Sequence, residues 1–143
     1  MKAKTKILLG AGGVLTCTCA VLIYLLFHGY FDRGFFEVKQ AVWFSPNLVA
    51  MDALRWDNEA LGGYQRFVLI GDHVYTPTEL RHALYSDAPV FDAAADCLNL
   101  RWESQTSLII ECKGRVIDSD HINRQTFQHG AIVISCKNIA RKN

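Results

Sequence analysis

The feature that most constrains this chain is an uncharged run of 21 residues at positions 7–27, which directly follows a cluster of lysines. A helix of this length spans the hydrocarbon core of a bilayer. Lys2, Lys4 and Lys6 precede the run, and lysines on one side predict a cytoplasmic N-terminus. The pattern therefore predicts a single-pass membrane protein, with a basic cytoplasmic tip at 1–6, a transmembrane helix at 7–27, a juxtamembrane linker at 28–34 and a domain at 35–143 on the far side of the membrane.

Two other interpretations of the N-terminal segment stay open, namely cleavage as a signal peptide and lipidation. A cleaved signal peptide has a shorter apolar region and a small-residue cleavage site, and no such site follows Phe27. A lipid-bearing cysteine usually follows Gly, Ala or Ser, whereas threonine precedes both Cys17 and Cys19. An uncleaved signal anchor is therefore the favoured prediction.

The charge balance and the spacing of reactive residues argue against several classes of function. The chain has 15 Lys and Arg against 14 Asp and Glu, a formal net charge of +1, so no strong field attracts nucleic acid. The histidines lack the paired spacing of a zinc site, and residues 118–127 lack the glycine and terminal glutamate of a calcium loop. No serine elbow occurs either. The sequence therefore predicts no enzyme, no metal and no cofactor.

Short strand patterns dominate the rest of the chain. Positions 35–44 alternate apolar and polar side chains, as a half-buried strand does. Positions 48–56 and 64–70 are rich in strand-forming residues and flank a glycine-bearing loop, which predicts a hairpin. Further strands are predicted at 90–93, in a hairpin at 96–112, and at 131–139.

One helix is predicted among these strands, at 75–86. Thr76 and Glu79 have the spacing of a capping box, and Pro77 suits the first helical position. The predicted fold class is therefore α+β: an N-terminal transmembrane helix followed by a small antiparallel β-sheet domain with one capped helix.

The 96–112 hairpin carries a cysteine near each end, and its register bears on whether they pair. Six apolar side chains become buried if the two apolar faces meet, namely Leu98, Leu100 and Trp102 on one strand and Leu108, Ile110 and Cys112 on the other. In this register Cys97 points to the face opposite Cys112. A bond between these two is therefore disfavoured.

The similarity of two segments favours a different cysteine pair. The segments are LIIECKG at 108–114 and IVISCKN at 132–138. If the two strands pair antiparallel with Val116 opposite Ile132, Cys112 lies directly across from Cys136. The predicted disulfide therefore joins Cys112 to Cys136, in keeping with an oxidising compartment. Reduced, buried cysteines are the alternative.

The loop between the second and third predicted strands combines aromatic, basic and acidic residues. Seven residues are predicted to bind a partner, namely Arg55, Trp56, Asp57, Asn58, Glu59, Tyr64 and Arg66. Aromatic and arginine side chains are enriched at interface hot spots. The competing interpretation is a solvated hairpin whose Trp56 packs on the core.

Two stretches of the sequence resemble a set of short bacterial envelope proteins of unknown function. They are SPNLVAMDALRWDNEALGGYQRFVLI at 45–70 and PVFDAAADCLNLRWESQTSLIIEC at 89–112. That set combines a membrane or lipid signal with an S-P-x strand, a glycine-bearing hairpin and a late R-W and L-x-I hairpin. Asn47 stands where those proteins have an acidic residue.

Some envelope proteins of this build are immunity proteins that block a secreted toxin, and the resemblance is compatible with that role. The expected function is a membrane-anchored periplasmic protein-binding module, most specifically an immunity-type inhibitor that neutralises an antibacterial effector. Its partners are then a protein and, through residues 7–27, the inner membrane, but no nucleic acid. An accessory or structural subunit of a cell-envelope complex is the alternative.

Overall fold

The computed structural model describes residues 2–27, 29–57 and 63–142, and side chains from residue 14 onward. The chain divides into two compact units, Met1–Asp32 and Arg33–Asn143. Helix α1, Lys2–Phe27, belongs to the first unit. All other helices and strands described lie in the second unit.

The prediction of a membrane-spanning segment is wrong. Among the residues described above, no helix is both long enough and apolar enough to cross a membrane. The predicted transmembrane helix at 7–27, the signal anchor and the single-pass inner-membrane localisation with a periplasmic domain fail for this reason.

The predicted α+β class is also wrong, because the described part of the chain is mostly β-sheet with two α-helices. The second helix, α2, spans Pro77–Leu84. The strands are β1 Phe35–Ser45, β2 Leu48–Trp56, β3 Tyr64–Gly71, β4 Phe91–Ala93, β5 Leu98–Ser104, β6 Ser107–Cys112, β7 Ile122–Gln125, β8 Gln128–His129 and β9 Ile132–Lys137. Strands β7 and β8 were not predicted from the sequence, because they are short and lack an alternating pattern.

One sheet has five antiparallel strands in the order β1-β2-β3-β4-β7. Strand β2 is buried along six consecutive positions, from Val49 to Leu54. Such a run is buried only if both faces of the sheet are covered, since neighbouring side chains point to opposite faces. Helix α2 covers one face through Leu80 and Ala83, which pack with Met51 and Phe67.

A second sheet covers the other face of the five-stranded sheet. Its order is β5-β6-β9-β8, and β6 and β9 run parallel to each other. The core between the two sheets joins, among others, Ala50, Val68 and Phe91 with Leu100, Leu108, Ile110 and Ile134. The second unit is therefore a β-sandwich with one helix on its outer face.

Glutamine side chains pair with backbone groups at two open edges of the sandwich. The Gln40 side chain on β1 accepts a hydrogen bond from Leu100 N at 2.9 Å and donates one to Leu100 O at 3.3 Å. Gln125 on β7 makes the same pair of bonds with Lys142 N at 2.8 Å and Ala140 O at 3.2 Å. Trp102 Nε1 also donates to Val42 O at 2.8 Å. These bonds satisfy backbone groups that an edge strand otherwise leaves free.

The predicted hairpin register is confirmed, but the predicted disulfide is wrong. Leu98 lies opposite Cys112 and Leu100 opposite Ile110, as expected. The disulfide nevertheless joins Cys97 to Cys112, with their Cα atoms 4.8 Å apart. Cys97 precedes the first residue of β5, so strand alternation does not hold its side chain on the opposite face.

Cys136 is a free thiol. Strand β9 pairs with β6 in parallel, whereas the similarity of the two segments suggested antiparallel pairing. In the parallel register Cys136 lies opposite Ile110, two residues before Cys112. It is half-buried against the core, and this burial raises the pKa of its thiol.

We predict that reduction of the disulfide lowers the free energy of unfolding by about 3 kcal/mol, because the Cys97–Cys112 bond closes a short loop in the unfolded chain. Urea unfolding with and without a phosphine reductant measures this change. A Cys97→Ser variant, which has no bond to lose, should give the same value in both conditions. Recovery of a peptide linked through Cys112 and Cys136 from a non-reducing digest would contradict the observed pairing.

The predicted capping box of α2 is confirmed, and it extends to a histidine. The Thr76 hydroxyl accepts from Glu79 N, and Thr76 N donates to the Glu79 carboxylate at 2.7 Å. His73 bridges Asp72 at 2.6 Å from Nδ1 and Glu79 at 3.2 Å from Nε2. Hydrogen bonds from the backbone and side chain of Thr76 lower the pKa of Glu79 to about 2, and the hydrogen bond with His73 makes a smaller contribution in the same direction. The hydrogen bonds to Asp72 and Glu79 raise the pKa of His73.

The pKa of His73 is higher in the folded than in the unfolded chain, so its protonated ring stabilises the fold. This stabilisation is fully present at a pH below the unfolded-state pKa and disappears as the pH rises through the folded-state pKa. We predict that an NMR titration of the His73 ring gives a pKa above the ordinary value of a histidine side chain. Glu79→Gln should lower that pKa, while glutamine preserves the capping box. An unchanged His73 titration in this variant would show that the bridge to Glu79 is absent in solution.

Candidate functional site

Three aromatic side chains line up at the end of the five-stranded sheet where β2 meets β3. Phe35 lies opposite Trp56 on β1 and β2, and Trp56 lies opposite Tyr64 on β2 and β3. The rings of Phe35 and Trp56 stack with centroids 4.9 Å apart. Phe35 is 59 % exposed and Tyr64 44 % exposed, whereas Trp56 is half-buried between them. We call Phe35, Trp56 and Tyr64 the aromatic row.

A cleft of about 500 Å³ opens beside this row, and we call it the Trp56 cleft. It is lined by Glu37, Lys39, Leu54, Trp56, Asp57, Gly63 and Tyr64. Glu37 lies opposite Leu54 in the register, so both belong to the face that carries the aromatic row. Lys39 occupies a bulge in β1 and forms an ion pair with Glu37.

Asp57 closes one end of the Trp56 cleft and is held by Arg55. Its Oδ2 lies 3.0 Å from Arg55 Nη2, and both side chains are mostly buried, at 15 % and 17 % exposed. Its Oδ1 is also buried, and no donor in the described part of the chain lies within hydrogen-bonding distance of it. Asp57 therefore contributes a carboxylate to the lining of the cleft, with one oxygen paired to Arg55 and the other shielded from solvent.

A buried ion pair supports the aromatic row from beneath. Arg66 Nε donates to Asp52 Oδ1 at 2.8 Å, and its Nη2 contacts Asp52 Oδ2. Asp52 is fully buried and Arg66 is 7 % exposed, and this burial lowers the pKa of the guanidinium. Arg66 Nη1 also donates to the Tyr64 hydroxyl at 3.4 Å. Arg66 therefore fixes Tyr64 in place and is not itself open to a partner.

Tyr64 lies between the Trp56 cleft and a second cleft of about 290 Å³. The second cleft is lined by Tyr64, Ala94, Ala95, Asp96 and Arg115. Asp96 and Arg115 form an exposed ion pair on that side. Burial, and after it the negative charge of Asp96, raise the pKa of the Tyr64 hydroxyl. The hydroxyl is therefore protonated and available as a hydrogen-bond donor near neutral pH.

The structure brings together four of the seven residues that the sequence predicts to bind a partner, namely Arg55, Trp56, Asp57 and Tyr64. Arg66 lies beneath them, and Asn58 and Glu59 lie outside the described residues. Sequence reasoning did not identify Phe35, Glu37 and Lys39, which reach the site from β1 through its pairing with β2. The alternating pattern of β1 places Phe35 and Glu37 on one face, but only the strand register assigns that face to the site.

The chemistry that these groups support is noncovalent recognition through aromatic surface, paired charges and an exposed tyrosine hydroxyl. Within the described ranges, no group of three or more His, Cys, Asp or Glu side chains is arranged to hold a metal ion. Cys112 and Cys136 belong to the core between the sheets rather than to this surface.

Comparison with known proteins found no family model that matches the chain, and no similar curated protein or solved structure. The resemblance to bacterial envelope proteins therefore stays a prediction. The geometry of the aromatic row and its clefts is the basis on which function has to be inferred.

We predict that Asp52→Ala destabilises the fold by about 3–5 kcal/mol, because it leaves the Arg66 guanidinium buried without its counter-charge. The double replacement Asp52→Leu with Arg66→Met should recover most of that loss, since it removes both charges together. Urea unfolding of the wild type and the two variants measures these differences. If Asp52→Ala lowers the free energy of unfolding by less than about 1 kcal/mol, the Asp52–Arg66 ion pair behaves like a weak, solvent-screened surface ion pair, and the prediction is wrong.

Proposed function

We propose that this chain is a protein-binding module, and most specifically an immunity-type inhibitor that neutralises an antibacterial effector. The observation that carries the proposal is the aromatic row, in which Phe35 and Tyr64 are exposed on either side of Trp56. Tryptophan, tyrosine and arginine carry much of the binding energy at protein interfaces. Aromatic side chains exposed together beside a cleft favour a binding surface over an ordinary solvated strand end.

Contacts within the chain hold the row in place before a partner arrives, which favours tight binding. Each of its residues belongs to a strand of the same sheet. Trp56 is held by stacking on Phe35, and Tyr64 by its hydrogen bond from Arg66. Association then orders few side chains, so less entropy is lost on binding.

Recognition through side chains is favoured over addition of a strand to the sheet edge. Strand β1 forms that edge, but a bulge at Lys39 interrupts it, and the adjoining Glu37 and Lys39 are charged. Gln40 and Trp102 connect the following part of β1 to β5. Charges, bulges and covered backbone groups are features that prevent pairing of edge strands.

The oxidised pair Cys97–Cys112 agrees with a protein that acts where disulfides persist. The disulfide also joins the start of β5 to the end of β6 in the four-stranded sheet, which packs against the sheet that carries the site.

The proposal is tested by expressing the product of the gene adjacent to this one, alone and together with the full chain. We predict that the adjacent product stops growth by itself, that co-expression restores colony counts, and that the two purified proteins bind. Trp56→Ala and Tyr64→Ala should each weaken binding about 30-fold or more, as hot-spot truncations do. Trp43→Ala is the matched control, since Trp43 is an exposed tryptophan of β1 outside the aromatic row.

Failure of the full chain to relieve the toxicity, or adjacent products that are neither toxic nor bound by the chain, would refute the inhibitor function. Binding without protection would favour a subunit of a larger assembly. Equal losses from Trp43→Ala and Trp56→Ala would show that the aromatic row is not the binding surface.

A further inference from the structure

We infer that the Trp56 cleft receives one basic side chain, lysine or arginine, of the bound partner. This inference rests on the proposed function and specifies the chemistry of the partner at that same site. It follows from the charges in the cleft, from its aromatic walls and from its size.

The charges of the cleft favour a cation. Its lining carries two carboxylates, those of Glu37 and Asp57, against one ammonium group, that of Lys39. An anionic ligand would place like charge against Glu37 and Asp57.

The walls of the cleft suit an organic cation better than a neutral donor. Trp56 and Tyr64 lie side by side on paired strands and line the same space. Tryptophan and tyrosine rings attract ammonium and guanidinium groups through their negative faces. The apolar Leu54 side chain forms part of the same lining, and it provides a surface for the methylene groups of a long basic side chain.

The size of the cleft fits a side chain with part of its backbone. Its volume of about 500 Å³ lies within the range of roughly 300–1,000 Å³ that is typical of small-ligand sites. The second cleft, on the other side of Tyr64, offers a continuation for residues that neighbour the basic one. Its Asp96–Arg115 pair presents both signs of charge to them.

The test uses the uniformly ¹⁵N-labelled full chain and three small probes: arginine amide, lysine amide and the neutral isostere citrulline amide. We predict that millimolar arginine amide and lysine amide shift the Trp56 indole signal and the backbone signals of Gly63 and Tyr64. Citrulline amide, which has the shape of arginine amide but not its side-chain charge, should bind at least fivefold more weakly. Equal binding of citrulline amide, or no shift at Trp56 with any probe, would overturn the inference.

Variants separate the cleft from general electrostatics. Asp57→Asn should weaken arginine-amide binding at least fivefold, whereas Asp120→Asn, at an exposed aspartate outside the cleft, should leave it unchanged. Circular dichroism of both variants checks folding. Because the shift map of the wild type locates the bound probe independently, loss of the fold in Asp57→Asn would not remove the test. Equal effects of the two variants would overturn the inference.

The two proposals can fail separately. A partner that binds through the aromatic row but is neither displaced by arginine amide nor weakened by Asp57→Asn would overturn the cleft inference and keep the proposed function. Charge-selective binding of arginine amide at Trp56, without rescue from any adjacent gene product, would keep the cleft and overturn the inhibitor function.

Discussion

Coverage of both faces of the five-stranded sheet is the constraint on which the second unit depends. Strands β2 and β3 are apolar on both faces, so neither face can be left in water. Helix α2 packs on one face and the four-stranded sheet on the other. Each fully buried Val, Leu, Phe or Met side chain contributes about 1.5–3 kcal/mol. Residues such as Met51, Phe67 and Leu69 therefore account for much of the stability of this layer arrangement.

The candidate site lies at the end of the same sheet, where polar groups replace the apolar core. Asp52 and Arg66 neutralise each other within the buried part, and Arg66 donates to Tyr64 at its edge. The buried pair is thus an intermediate layer between the core and the aromatic row. This layer explains how an exposed tyrosine is held rigidly without apolar neighbours on every side.

Local elements were predictable because neighbouring residues decide them. The capping box of α2 needs only Thr76, Pro77 and Glu79, and the register of the β5–β6 hairpin follows from burial of its apolar face. The disulfide was not predictable from strand alternation, since Cys97 lies one residue before β5 begins. The direction of β9 was not predictable either, because a repeated I-x-C pattern fits a parallel and an antiparallel partner equally well.

The sequence by itself determined the strand patterns, the helix cap and the presence of aromatic, acidic and arginine residues around one loop. These depend on side-chain periodicity and on contacts between residues that are close along the chain. The tertiary structure alone decided which residues share a surface. Strand pairing brings Phe35, Glu37 and Lys39 of β1 beside Trp56 and Tyr64, and packing of the sheets buries Arg66 while Tyr64 stays exposed. These outcomes depend on contacts between distant segments, for which a single sequence contains no local signal.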